Sequence, residues 1–117
     1  MRNKDMDAIK HIIMYCEQIH VIDNEFNNSK EKFLASIAYQ NAICLSLLQI
    51  GELVSVLSEE FKKANSAIPW QKIKAFRNIV AHRYKLIDFN VVWNICLNDI
   101  PVFKDFCKTI LDNTSEQ

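Results

Sequence analysis

An arginine and a histidine in one short segment are the residues of this sequence best suited to chemistry. Arg77 and His82 are separated by four residues, Asn78 follows the arginine directly, and Tyr84 comes two residues after the histidine. Arginine is a permanent cation whose planar fork of donors matches a phosphate, and histidine exchanges a proton near neutral pH. Together the two side chains could cleave a phosphodiester, one binding the developing negative charge and the other moving protons.

A purely structural interpretation of the pair stands beside this one. Arg77 could be a surface charge on a helix, and His82 could lie near the C-terminal end of that helix, where a cation is favoured. An arginine and a histidine at this spacing form a short pattern with little specificity of its own. The neighbouring sequence therefore has to decide between the two interpretations.

A basic segment surrounds the pair. Between Glu60 and Asp88 there is no acidic residue, and the basic residues there are Lys62, Lys63, Lys72, Lys74, Arg77, Arg83 and Lys85. The whole chain has a formal net charge of zero, so this positive charge is local. A solvated helix face would explain it, but its position beside the arginine and histidine favours a surface that binds a phosphate backbone.

The composition predicts an all-α fold. The chain has 117 residues, half of them hydrophobic, which suits a single domain over residues 1–117 with one core. One glycine and two prolines are too few turn residues for an all-β protein and favour long helices. We predict an up-and-down bundle of four to five helices.

Apolar residues at three- and four-residue intervals predict where the helices lie. We expect a first helix over residues 5–22, one uninterrupted second helix over 30–64 and a third over 69–81. A fourth helix should begin at Asp88, and Pro101 should open the last one. The second helix is apolar on several sides, which predicts that it is central and that one side meets a second subunit.

Two further features bear on the geometry of the site. Gly51 costs about 1 kcal/mol in the middle of a helix, which predicts close approach of another helix there. Glu52 could pair with a cation near the site or be solvated. Arg77 and His82 would point about 140° apart on an ideal helix. Either the helix ends or bends before His82, or a second copy of the chain completes the site.

The remaining chemistry-bearing residues predict neither a metal site nor a membrane span. His11 and His20 are nine residues apart, which is the wrong spacing for a shared metal on one helix. The four cysteines form no Cys-x-x-Cys pair and are interpreted as buried free thiols, which predicts a cytoplasmic protein. The N-terminus lacks the apolar core of a signal peptide. The longest apolar region, 42–57, is expected to be too short to span a bilayer.

Several segments, in the right order along nearly the whole chain, resemble the HepT family within the HEPN superfamily. The central one is Lys-Ala-Phe-Arg-Asn-Ile-Val-Ala-His-Arg-Tyr at 74–84, and a Gly-Glu step at Gly51 resembles that of the family's second helix. The other segments are 7–12, 68–70, 88, 91–93 and 99–101. The sequence departs from the pattern at 85–88, where relatives often have an aromatic residue or glycine.

The resemblance implies a HEPN-type bundle and a metal-independent RNA endonuclease that acts as the toxin of a type VII toxin–antitoxin pair. By the family motif, Arg77 and His82 are catalytic, Asn78 supports them, and Tyr84 is where a minimal nucleotidyltransferase antitoxin attaches AMP. The implied partners are RNA, a second copy of the chain and that MNT-fold antitoxin, with no membrane. The chain itself needs no cofactor, because ATP is used by the antitoxin.

With RNA as the implied substrate, four basic residues are predicted to bind its backbone: Lys72, Lys74, Arg83 and Lys85. Two other interpretations stay open. The chain could be a non-catalytic HEPN subunit that presents substrate to a two-component nucleotidyltransferase, or a plain helical oligomerisation module. Growth arrest on expression would separate a toxin from a binding subunit.

Overall fold

The structure, a computed structural model, describes residues 2–115, and in that range it contains helices and no strand. The helices are α1 (Asn3–Glu25), α2 (Lys30–Ala35), α3 (Ile37–Val56), α4 (Glu59–Ala64), α5 (Trp70–His82), α6 (Phe89–Asn94) and α7 (Ile100–Ser115). A 3₁₀ turn covers Tyr84–Leu86, and a π-helical segment covers Ile95–Asp99. The predicted all-α bundle is confirmed, and the predicted first and third helices correspond to α1 and α5.

Helix α3 lies at the centre of the bundle, with α1 on one side and α5 on another. Its fully buried residues Tyr39, Ile43 and Val54 pack with Ile9 and Ile12 of α1 in one core. Helix α7 also packs on α1. The helix predicted to be central is therefore central, and the positions of α3 and α5 determine the geometry of the candidate site.

Hydrogen bonds at both ends show that α1 and α3 run antiparallel. Near the start of α1, buried Asp5 accepts hydrogen bonds from Ser58 N at 2.8 Å and Ser58 Oγ at 2.7 Å. Near its end, Asp23 accepts a hydrogen bond from the Tyr39 hydroxyl at the start of α3. These two contacts hold the helix pair in register from end to end.

The prediction of one uninterrupted helix over residues 30–64 was wrong. The backbone is extended at Ser36, whose hydroxyl accepts a hydrogen bond from Tyr39 N at 3.1 Å and caps α3. It is extended again at Ser58, whose hydroxyl caps α4 through Phe61 N at 3.1 Å. Capping serines offer the backbone an alternative to continuing the helix, so it breaks without glycine or proline.

The expectation that Pro101 opens a helix was also wrong. Asp88 does cap α6, through a hydrogen bond from Asn90 N at 2.9 Å, but α6 then continues through the π-helical segment into α7. Pro101 lacks an N–H and cannot bond the carbonyl four residues earlier, at Leu97. The wider π turn accommodates this loss within one continuous helical run.

The expectation that the longest apolar region is too short to span a bilayer was wrong in part. By length and composition alone, Ile37–Val56 is long and apolar enough to cross a membrane, contrary to the estimate from residues 42–57. In the bundle, however, α3 packs between α1 and α5 and contributes much of the core. Core helices of globular proteins commonly meet the same criterion.

Candidate active site

The site is built where α5 crosses α3, and Gly51 determines how closely they approach. A Cβ atom added to Gly51 would lie 2.6 Å from Cγ of Arg77 and closer still to its Cβ. Only glycine fits under the arginine without displacing one of the helices. The predicted close approach at Gly51 is confirmed, and the neighbouring helix is α5.

Glu52 holds the guanidinium of Arg77 on the adjacent position of α3. Arg77 Nε donates a hydrogen bond to Glu52 Oε1 at 2.6 Å, and Nη2 contacts the same oxygen. Nη1 donates to Asn78 Oδ1 at 3.0 Å. The sequence left Glu52 either paired or solvated, and the structure shows it paired with the arginine of the motif.

These contacts occupy three of the guanidinium's five N–H groups and leave one on each terminal nitrogen. The Arg77 side chain is 26% exposed, so the two remaining donors can still reach a ligand. A planar guanidinium held in this way binds a phosphate oxygen with little loss of side-chain entropy. The arrangement fixes the guanidinium and leaves two of its donors unpaired, which an isolated ion pair on the surface would not do.

His82 is the last residue of α5 and is exposed. Because α5 includes His82, the helix does not end before that residue. Five residues of α-helix turn the chain by about 140°, so Arg77 and His82 lie on different sides of α5. Within the described part of the chain, the imidazole has no hydrogen-bond partner, and the oxygen of Asn78 is bound to Arg77 instead. One copy of the chain does not bring the two catalytic candidates together.

Tyr84 lies in the 3₁₀ turn after α5 and reaches back to α3. Its hydroxyl donates a hydrogen bond to Asn41 Oδ1, and its ring meets Phe89 edge-on with centroids 6.1 Å apart. Burial, with the neighbouring Cys44 sulfur, raises the pKa of the Tyr84 phenol above its usual range. Burial also raises the pKa of Cys44 to about 11. The tyrosine is therefore a neutral phenol, anchored to α3 and still 38% exposed.

Asn41 and Cys44 were not found from the sequence. The hydrogen bond from Tyr84 to Asn41 spans 43 residues, and no local pattern marks an asparagine near the start of an apolar helix as its partner. Only the antiparallel packing of α5 on α3 brings these residues together. The one available signal was the seven-residue interval from Arg77 to Tyr84, which returns to the same side of a helix.

The four predicted backbone-binding residues, Lys72, Lys74, Arg83 and Lys85, are all exposed. Within residues 2–115 none of them forms an ion pair. Two other cations of the basic segment are paired with acids from outside it: Arg77 with Glu52, and Lys62 with Glu59 at 3.3 Å. The folded segment therefore carries fewer unpaired positive charges than its sequence alone suggests.

Across the described range, no group of three or more His, Cys, Asp or Glu side chains could hold a metal ion. His11 Nδ1 lies 2.8 Å from the Asp7 carbonyl oxygen, and His20 Nε2 lies 3.3 Å from Asn24 Nδ2. Both histidines therefore have local helical partners. The cysteines at 16, 44, 96 and 107 are free thiols; all but Cys96, which is partly buried, are buried as predicted.

Comparison with known proteins identifies the family. The model of the family described as Ribonuclease HepT-like matches residues 7–110. The chain belongs to the HepT-like ribonuclease family. Within it, "Putative RNase TTE0752" of Caldanaerobacter subterraneus subsp. tengcongensis is 31% identical over 103 residues, which cover 88% of this chain and 90% of that protein. "Putative RNase MJ1380" of Methanocaldococcus jannaschii is 33% identical over 99 residues, covering 85% and 83%.

A third HepT-like relative carries the family name itself. "Probable ribonuclease HepT" of Thermococcus cleftensis is 29% identical over 104 residues, which cover 89% of this chain and 93% of that protein. No solved structure matches the chain significantly. The resemblance noted in the sequence is confirmed, and the protein is an RNA-cleaving enzyme of the HepT-like family.

Proposed function

We propose that this HepT-like ribonuclease cuts RNA internally, without a metal ion, as the toxin of a type VII toxin–antitoxin pair in the cytoplasm. The observation that carries the proposal is the fixed guanidinium of Arg77, seated on Gly51 and held by Glu52 with two donors still available. An arginine that served only stability would need neither a glycine beneath it nor two donors left unpaired.

In the proposed reaction the ribose 2′-oxygen bonds to the adjacent phosphorus, and the bond from phosphorus to the 5′-oxygen breaks. His82 takes the proton of the 2′-hydroxyl while water protonates the leaving 5′-oxygen, or, as the imidazolium, gives a proton to the 5′-oxygen while water takes the 2′-proton. Arg77 binds the phosphoryl oxygens as their negative charge increases, and Asn78 keeps the guanidinium oriented. The products are a 2′,3′-cyclic phosphate and a 5′-hydroxyl, so DNA, which lacks the 2′-hydroxyl, is not a substrate.

A homodimer supplies the geometry that one chain lacks. Large apolar side chains are exposed on α3 at Leu45 (58%) and on α5 at Ile79 (39%). Ile79 precedes His82 by three residues and therefore shares its side of α5. A second copy that covers these apolar residues would lie against His82 and could bring its own motif to a shared cleft.

Tyr84 is proposed as the residue modified by a minimal nucleotidyltransferase antitoxin. Its oxygen would bond to the α-phosphorus of ATP, with pyrophosphate leaving and the phenol proton lost to solvent. The support is its exposure and its place beside His82 and between Arg83 and Lys85. A bulky anion there would obstruct the cleft and repel the phosphates of RNA.

The test is cleavage of purified RNA in excess EDTA by the wild-type chain and by the Arg77→Ala and His82→Ala variants. We expect the wild type to leave 2′,3′-cyclic phosphate ends and each variant to lose activity by about 100-fold or more, the usual cost of removing an acid–base or charge-stabilising group. Lys30→Ala on α2 is the matched control, because Lys30 is exposed and outside the motif. Activity that requires added magnesium would contradict the mechanism.

A further inference from the structure

A concave surface lies beside the candidate site, between α4 and the first half of α5. It is a groove of about 590 Å³ that opens to solvent. The helices α3 and α4, the loop before α5 and α5 itself form its walls. The lining residues used below are Ser55, Glu59, Lys62, Lys63, Lys72 and Lys74.

The groove is strongly basic. Four lysines line it, and its one acidic residue, Glu59, is bound to Lys62 at 3.3 Å. Lys63, Lys72 and Lys74 are exposed and form no ion pair within the described part of the chain. Three free ammonium groups around one concave surface attract a chain of phosphates more strongly than the same charges on a convex face.

Both walls of the groove lead to the guanidinium of the site. Along α5, Lys74 precedes Arg77 by three residues, so the two lie one above the other about 4.5 Å apart along the helix axis. Along α3, Ser55 follows Glu52 by three residues in the same way. A strand whose phosphate is bound by Arg77 can therefore continue directly into the groove.

The groove is not built to read bases. Its one aromatic residue, Trp70, is buried, and its indole N–H donates to the carbonyl oxygens of Lys62 at 3.2 Å and Asn65 at 3.1 Å. The ring packs at 6.1 Å against Phe61 and Phe103. Because the groove has no free aromatic face, a base cannot stack there. The lysines can still bind the phosphates of the backbone.

We infer that this groove binds the backbone of single-stranded RNA on one side of the bond that is cut. The inference rests on the proposed function, because it takes Arg77 as the position of the scissile phosphate. It adds Lys63 to the binding residues and separates the groove lysines from Arg83 and Lys85, which lie beyond the motif histidine. Binding through phosphates alone makes this part of recognition independent of base sequence.

The test measures binding of a 2′-O-methyl RNA strand of about ten nucleotides, which cannot be cut because its 2′-oxygen is blocked. The groove variant is Lys63→Gln/Lys74→Gln, and the matched control is Lys30→Gln/Lys32→Gln, with the same loss of charge on α2. Each phosphate contact adds about 0.7 to the slope of log Kd against log salt for single strands. We expect the groove variant to reduce the slope by about 1.4 and the control to leave it unchanged.

The outcomes separate the groove from the catalytic proposal, because the probe is bound whether or not the chain cleaves RNA. A slope that falls equally in both variants, or in neither, overturns the groove assignment even if the chain is an active nuclease. Strands of equal length and different base composition should show the same loss, and a loss confined to one composition would also overturn it. Thermal unfolding of each variant checks that the exposed substitutions leave the fold intact.

Discussion

Substituting Gly51 by alanine tests whether the crossing of α3 and α5 positions Arg77 for catalysis. The added Cβ would lie 2.6 Å from Cγ of Arg77, whereas an ordinary contact begins at 3.4 Å. One of the two helices, or the arginine itself, must therefore move by at least about 0.8 Å, the difference between those distances, because Cβ of Arg77 lies closer still. The backbone of Gly51 needs no special conformation, since it lies in the middle of a helix.

Two opposite terms determine the stability of this variant. Alanine in place of glycine favours the helix by about 1 kcal/mol. Overpacking a close contact costs about 1–3 kcal/mol. The free energy of unfolding should therefore fall by about 1 kcal/mol, which leaves the bundle folded. Catalysis should suffer much more, because a misplacement of about 1 Å can cost about 100-fold in rate.

The assay pairs thermal unfolding with kcat/KM on a fluorogenic RNA oligonucleotide. Gly51→Ala should lose about 100-fold in kcat/KM while its unfolding midpoint changes by only a few degrees. Gln18→Ala, at an exposed position of α1, controls for a change of helix propensity far from α5. A Gly51→Ala variant that is more stable than the wild type and cuts RNA within two-fold of its rate would refute the reasoning.

Three further predictions concern Glu52, Tyr84 and the homodimer. Glu52→Gln keeps the shape of the side chain but removes its charge, and kcat/KM should fall about ten-fold. The free energy of unfolding should change by less than about 1 kcal/mol, because the ion pair is partly exposed. An unchanged kcat/KM would show that Glu52 does not position Arg77. Tyr84→Phe should keep most ribonuclease activity and gain no mass when mixed with the antitoxin and ATP, whereas the wild type gains AMP; AMP on another residue would contradict this role. Light scattering should give about twice the 13.7 kDa chain mass, and a Leu45→Glu/Ile79→Glu variant should be monomeric and inactive. A monomeric wild type that still cuts RNA would rule out the shared cleft.

The helix starts that the sequence located at residues 30 and 88 are set by caps within a few residues, although the cap of α3 at Ser36 is equally local and was missed. Asp88 caps α6 as expected, and Ser29 caps α2 in the same local way, through Lys32 N at 3.1 Å. The break at Ser58 was missed because its cap is completed by Asp5, 53 residues earlier in the chain. Pro101 was misjudged because a helix can absorb a missing N–H in a π turn when tertiary packing holds both halves.

What the sequence by itself determined is the chemical inventory: an arginine, a histidine and a tyrosine at family spacing, in a basic segment of an all-α chain. Tertiary structure alone decided how these residues are held. The packing of α5 on α3 places Gly51 beneath Arg77, Glu52 against its guanidinium and Asn41 against Tyr84. The physical reason is range: helix periodicity is set by neighbours a few residues apart, whereas each of these contacts joins residues at least 25 positions apart, which only the packed bundle brings together.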